Sequence, residues 1–434
     1  MVGVETKLTM HYRLFFLLIA ALSLFRLNAQ DEGLLYEDRI YKDNIRSVLF
    51  HVNGLVLTQP IIDLGSGVLE ISFDDLDSGV KNYSYTVVHC NADWTPSTLS
   101  EMEYIDGFAE DRIQDWRFSA KTLQTYTHYR LFLPHNDMRL TKSGNYLLKV
   151  YEDERRKTLA FTRRFMVVEP MVRITPRLVN PAGVGKIRTH QEIDFVVDHE
   201  RVPIRAAMQE IRAMVLQNGR WDNAITNISP MFVRNNQLVF DFQDKIVFPG
   251  GKEFRFIDLR TLRTNLPGVA TIELLGNAYE VTLERSGQRA ASSYVQFEDI
   301  NGNYIIETRD QRNPLSAEYV NVLFIFDASE PFFDHELFII GKFTDWQPKE
   351  GFRMEYNKAI NAYVGKVQLK QGFYNYAYAL VTRSGKDRSP DMSAIEGDWY
   401  ETENDYTILI YYHPLGERYD RLIGVQAFNS NDLR

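Results

Sequence analysis

Apolar and polar residues alternate with a period of two along many short stretches of this chain, and turn formers cut the stretches apart. Val68 to Asp74 is a clear case: Leu69, Ile71 and Phe73 fall on one side, and Val68, Glu70, Ser72 and Asp74 on the other. Period two sends successive side chains to opposite faces of a strand. Asp75-Leu76-Asp77-Ser78-Gly79 then reads as a turn, and Asn82 to His89 alternates again. Further strand patterns lie at 47–52, 129–133, 145–151 and 159–168, split by Gly, Asn, Asp and Pro. This spacing predicts a β-sandwich. Lys142-Ser143-Gly144-Asn145-Tyr146 just before a strand is like the approach to a late strand in immunoglobulin-like folds.

Glu169-Pro170 ends this first unit, because a proline after a long strand cannot extend the ladder. Strand patterns resume at 192–197, 212–217, 237–242 and 304–308, with Asn218-Gly219 as a hairpin signal after Gln217. Residues 204–209 fit a short helix. Gln311-Arg312-Asn313-Pro314-Leu315 reads as a second linker, and strands follow at 318–326, 336–341, 362–369 and 373–380. The expected fold class is all-β, with immunoglobulin-like or early-set sandwiches in tandem. The expected units are 30–169, 170–312 and 313–434, like beads in a row.

Residues 1–29 read as a signal peptide. Lys7 and Arg13 precede an apolar run from Leu14 to Phe25, and Ala29 is a small residue before Gln30. That run has about a dozen residues, against the roughly 20 that a spanning helix needs. Met10 is an alternative start. No later segment is apolar enough for a membrane-spanning helix. Net charge is −9, and loss of Lys7, Arg13 and Arg26 with Glu5 would make the mature chain more acidic. Such a balance disfavours nucleic-acid backbones, which reward clustered Lys and Arg.

Candidate chemistry is thin. The single cysteine, Cys90, cannot form an internal disulfide and reads as a small buried side chain. A nucleophile would need a paired base, and its neighbour His89 points to the other face of the strand. Carboxylate pairs such as Asp74-Asp75 and Glu298-Asp299 occur, but a glycosidase needs two acids set across one cleft. Asp299-Ile300-Asn301-Gly302-Asn303 lacks the closing Glu of a calcium loop and reads as an Asn-Gly hairpin. No histidine pair has metal-ligand spacing, and no phosphate loop or nucleophile elbow is present. The expectation is a non-enzyme with no catalytic residue, metal, cofactor or small-molecule substrate. In Gly250 to Arg260, Arg255 shares a face with Ile257, and Asp258 and Arg260 share the other beside Phe254 and Phe256. That pattern suggests an Asp258–Arg260 network at a sheet edge or domain joint.

Two resemblances add to this reading. The run from Tyr83 to Trp94, with Tyr126-Thr127-His128-Tyr129-Arg130-Leu131 and Ser143-Gly144-Asn145-Tyr146-Leu147, resembles the first domain of the plug protein of the type IX secretion system, the protein-export machine of Bacteroidetes. Gly250 to Arg260 resembles that family's second region, and Arg418 to Gly424 its closing segment. Separately, Gly341-Lys342-Phe343-Thr344-Asp345-Trp346 and Gly372-Phe373-Tyr374-Asn375-Tyr376 resemble the turn and strand of early-set glycogen-binding modules. There Gly341 is expected to allow a tight bend, and Trp346 either to pack or to contact a sugar. The turn at 382–387 has no second aromatic for stacking.

The plug resemblance implies a periplasmic protein that binds the mouth of a large outer-membrane β-barrel translocon and closes it. Trp94, Trp116, Arg117, Arg255, Asp258 and Arg260 are the candidate interface residues, with the loops 94–97 and 115–118 as docking elements. Core packing is the competing role for these aromatics. The rival readings are a carbohydrate-binding surface protein, with Trp346 as its contact, and a hydrolase on a sandwich platform.

Overall fold

The computed structural model describes residues 33–153, 158–384 and 388–433. The expected signal segment lies outside the described residues. The fold is nearly all β, as the alternation predicts, and it forms three sandwiches.

In the first sandwich, one sheet runs in the order Ile45–Val52, Leu69–Asp75, Thr127–Leu133, Asp115–Phe118. The facing sheet runs Arg39–Ile40, Thr158–Val168, Gly144–Glu152, Tyr83–Cys90, Glu110–Arg112, with Ile61–Asp63 parallel to Thr158–Val168. Leu69, Ile71 and Phe73 point into the core, where Phe73 stacks on Tyr129 and meets Tyr83 and Phe161 edge-on. Such pairs contribute about 0.5–1.5 kcal/mol each beyond the area they bury. On the other face of Leu69–Asp75, Ser72 and Asp74 are buried too. Tyr319 and Lys370 of the third sandwich cover Asp74.

The middle sandwich pairs a sheet of Arg173–Val179, His190–Asp198, Gln237–Phe240 and Phe232–Arg234, with Val247–Pro249 beside His190–Asp198, against a second sheet. That second sheet runs Ile225–Ile228, Ile211–Gln217, Asp405–Tyr412, Arg421–Asn429. Half of it comes from the C-terminal end of the chain. Ile211 faces Tyr412, and the ladder continues to Gln217 opposite Tyr406. The Asn218-Gly219 turn forms with both residues at positive φ, but the next strand begins only at Ile225. A four-residue helix covers Ala207–Glu210.

The third sandwich lies within the middle one in sequence. Its strands run in the order Arg255–Asp258, Gly372–Thr382, His335–Ile340, Arg353–Asn357, Ala362–Lys370, Tyr319–Asp327, Ala278–Leu283, Val269–Leu275, with Tyr304–Ile306 also beside Gly372–Thr382. The strand pairing therefore differs from the expected boundaries. Residues 405–429 belong with the middle sheet, and 255–258 and 269–283 with the third unit. Pro314–Ser316 is a 3-10 turn inside that unit. Two chain passages connect the middle and third sandwiches, and they run side by side. Trp399 N donates to Gly251 O, and Gly251 N to Asp398 Oδ1. A Cβ at residue 250 would stand 2.0 Å from Trp399 O, so only glycine fits this crossing.

Without Asp405–Tyr412, the strand Ile211–Gln217 would be an open edge with Ala213 and Val215 uncovered. Ile410 is fully buried in that sheet. Ile410→Ala should lower unfolding free energy by about 2–5 kcal/mol, and removing residues 400–434 should leave a chain that no longer unfolds cooperatively. Denaturant titration followed by tryptophan fluorescence checks both. A truncated chain with an unchanged transition would contradict the shared sheet.

Candidate interaction surface and the joints behind it

The three sandwiches meet through buried polar and aromatic contacts. At the joint of the first and third, Asp74 is 1% exposed. Its Oδ2 accepts from Lys370 Nζ at 2.5 Å and from Tyr319 OH at 2.6 Å, and His128 Nδ1 lies 2.7 Å from Oδ1. Lys370 also stands 3.9 Å over the Tyr126 ring, and the Tyr126 hydroxyl donates to the carbonyls of Leu315 and Ala317. Glu318 accepts from the backbone N–H groups of Leu123 and Gln124. Burial pushes the Asp74 carboxyl up, but Lys370 and His128 outweigh it and hold the group below its ordinary range. Every charge here has a partner, which is what makes burial of a carboxylate and an ammonium tolerable.

The first and middle sandwiches share an apolar cluster of Cys90, Trp94, Leu147, Met214, Leu409 and Tyr411, among others. Tyr411 OH donates to Asn145 Oδ1 at 2.8 Å, and Ala92 N to Asp420 Oδ2 at 2.8 Å. Arg164 lies 4.4 Å from the Trp94 ring and 5.2 Å from that of Trp221, so one guanidinium bridges two indoles. The middle and third sandwiches meet where Arg220 stands 4.7 Å over Trp346.

The predicted site residues separate into two groups. Trp94 (6% exposed) belongs to the joint just described rather than to an exposed loop. Arg255 forms an ion pair with the buried Glu396, which Arg289 also reaches at 2.6 Å. Asp258 and Arg260 form the anticipated pair, with bonds of 2.8 and 2.6 Å, and Arg260 also contacts Glu307. These four residues serve internal contacts. Trp346 is 3% exposed, packed on Gly302, Phe254 and Arg220, and offers no open ring to a sugar. The turn before it also differs from expectation. Gly341 is extended, and what it avoids is a clash of a Cβ with the Phe343 ring and the Asn375 carbonyl. The positive-φ positions are Asp345 and Trp346.

Trp116 and Arg117 form the second group and remain exposed. They lie on an edge strand, Asp115–Phe118, rather than in a loop. Trp116 faces Tyr129 and Phe118 faces Thr127 across the ladder, so both rings stand on the core side of the sheet. Their rings lie 5.2 Å apart, yet they are 38% and 52% exposed. The facing sheet does not cover them. Residues 110–118 supply the edge strand of both sheets on that side of the sandwich, and Phe108 just before them is exposed as well.

Cys90 is fully buried, and burial pushes its thiol up to about 12. His89 bonds instead to Ser97 and to the Ser143 carbonyl. Asp299 accepts from the backbone of Phe254 and Asn301, and burial raises it to about 6. Its turn has the positive-φ pair Asn301 and Gly302, as an Asn-Gly turn requires. Among the described residues no group of three His, Cys, Asp or Glu side chains is placed to hold a metal ion, and no helix is long and apolar enough to cross a membrane.

Residues 45–169 match the family model for the first domain of the type 9 secretion system plug protein. A crystal structure of a hypothetical protein from Parabacteroides merdae is similar over nearly the whole chain, with 34% identity and a TM-score of 0.87, covering 92% of this chain and 100% of that one. The chain belongs to the type IX secretion system plug protein family. This family is not enzymatic in kind. E. coli alpha-2-macroglobulin aligns at 8% identity and a TM-score of 0.14, over 89% of this chain and 25% of that one. Collagen adhesin from S. aureus aligns at 6% identity and 0.10, over 89% and 94%. These two values are too low to carry any argument. No curated protein matches the chain.

Two outcomes test the joints. Lys370→Met takes from the buried Asp74 its ammonium partner, leaving only His128 and Tyr319, and should cost about 3–5 kcal/mol, while adding Asp74→Asn should recover part of the loss. Equilibrium unfolding measures this, and a cost under about 1 kcal/mol would contradict a buried pair. The pH profile should have two limbs. Asp194 and Asp299 are raised to about 6 by burial. Their charged forms disfavour the fold, so stability should rise as pH falls from 7 to 5. Burial also opposes the charged forms of Asp74, Asp345 and Glu396, but their cation partners outweigh it and depress their folded values. The stability they contribute is complete above the unfolded values near 4 and is lost below them. Thermal denaturation across pH 3–8 should show that maximum, and a monotonic rise to pH 8 would contradict it.

Proposed function

We propose that this chain is a stopper in the type IX secretion system. It would sit in the periplasm and cover the periplasmic mouth of the outer-membrane barrel translocon while no cargo is engaged. A barrel of many strands leaves an aqueous channel, and closing it takes a rigid body with a complementary surface rather than a reactive site. The observation that carries this reading is the interlocking of the sandwiches in a member of the plug family. Two passages join the middle and third units, and the Asp74–Lys370 pair ties the third to the first. A body fastened this way resists bending, which a string of independent domains does not.

The docking contacts we propose are Trp116 and Arg117, with Phe118 beside them. Exposed aromatics and arginine are the residues that most often anchor interfaces, and an open strand edge can accept another chain. Trp94, Arg255, Asp258 and Arg260 would act behind the surface by stiffening it.

Tagged full-length chain should co-purify with a very large barrel from solubilised outer membranes. Trp116→Glu with Phe118→Glu should cut the recovered barrel at least about tenfold without changing the unfolding transition. Deletion of the protein should raise outer-membrane permeability to large antibiotics. Barrel-free pull-downs together with unchanged permeability would refute the stopper. An unaffected double variant with an intact pull-down would move the docking face elsewhere.

A further inference from the structure

The joint of the first and third sandwiches holds a cleft of about 250 Å³ that the stopper reading leaves without a role. Arg163 lines it and is only 6% exposed. Among the described residues its side chain makes one hydrogen bond, from Nη1 to the carbonyl of Thr162 at 2.9 Å. Its nearest acid is Asp345, at 3.6 Å, beyond hydrogen-bonding distance. Asp345 already accepts from Lys349 Nζ at 2.6 Å, and Lys342 adds a third positive charge around it. One carboxylate therefore stands among three cations. Arg46, also on the lining, bonds to the carbonyl of Ile45 and has no ion pair among the described residues. Asp43 is the other acid on the lining. A buried cation without full compensation is costly, so this local surplus of positive charge, in a protein of net charge −9, calls for an anion.

The walls are also built in an unusual way. The strand Ile45–Val52 bulges opposite Leu69–Asp75, with Arg46 paired to Asp74 and Leu49 to Ser72. Ser47, inside the bulge, has φ +51, and Asp345 on the other wall has φ +55. Left-handed backbone at a non-glycine residue is unfavourable, and it collects at ligand sites where the surroundings enforce it. Bulges likewise collect at sites where a side chain is re-aimed.

The geometry points to an oxyanion site in this cleft: Arg163 and Lys349 bind a phosphate or carboxylate group of a small molecule, with Arg46 also on the lining. The volume has room for such a group. A bound anion would complete the charge balance at the joint and brace the first sandwich against the third. This assignment stands apart from the docking surface, which lies on a different edge.

Isothermal titration of the mature full-length chain with inorganic phosphate, and separately with succinate, at fixed ionic strength, tests it. Saturable one-site binding of either is expected, and the anion that binds identifies the class. Arg163→Gln should weaken that binding by about tenfold or more. Arg46→Gln, at a half-buried lining residue, should weaken it several-fold and covers the case in which Arg163→Gln fails to fold. Absence of saturable binding for both anions, or binding that neither variant alters, would overturn the site.

Discussion

One strand pairing decides the architecture. Asp405–Tyr412 lies against Ile211–Gln217, so the end of the chain completes a sheet begun near its middle. An open edge with a buried apolar face is unstable and sticky, and here the covering strand comes from almost 200 residues away. The third sandwich is thereby held at both ends, with its two connections packed together where Gly250 passes Trp399. Everything downstream depends on this closure. The apolar joint of Cys90, Trp94, Leu409 and Tyr411 exists only because the returning strands bring Leu409 and Tyr411 to the first sandwich.

Charge finishes what the strands begin. Asp74 sits on the outward face of a first-domain strand, a position that in a lone sandwich would meet water. Covered by the third sandwich, it needs Lys370, Tyr319 and His128, and those partners fix the angle between the two units. Glu396 plays a similar part for the irregular stretch between Leu283 and Tyr304, tying Arg289 to Arg255. Such pairs contribute little net stability against an apolar alternative, but they punish any other arrangement. The proposed stopper would have use for that kind of specificity.

Much of this was legible in the residues. Leu69, Ile71 and Phe73 announced their strand and its inner face, and the Asp258–Arg260 pair followed from two-residue spacing. The plug family was readable from the stretch around Tyr83 to Trp94. What escaped was everything set by long-range contact. Proline and polar residues at 311–315 look like a linker, yet they form a turn whose carbonyls receive the Tyr126 hydroxyl. Period two cannot tell which distant strand lies alongside Ile211–Gln217. Nor can it tell that Trp94 is covered while Trp116 is not, because each has polar or charged neighbours in sequence. The cleft around Arg163 gave no local signal at all, since its walls come from 46, 163 and 345–349.

The account rests on a single body acting by shape. Its most direct test is electrical: ion conductance through the purified translocon barrel in a planar bilayer, before and after adding this chain to one side. The account predicts a large fall in conductance when the chain is added on the periplasmic side, and none from the other. Conductance that stays unchanged with the chain bound would contradict it.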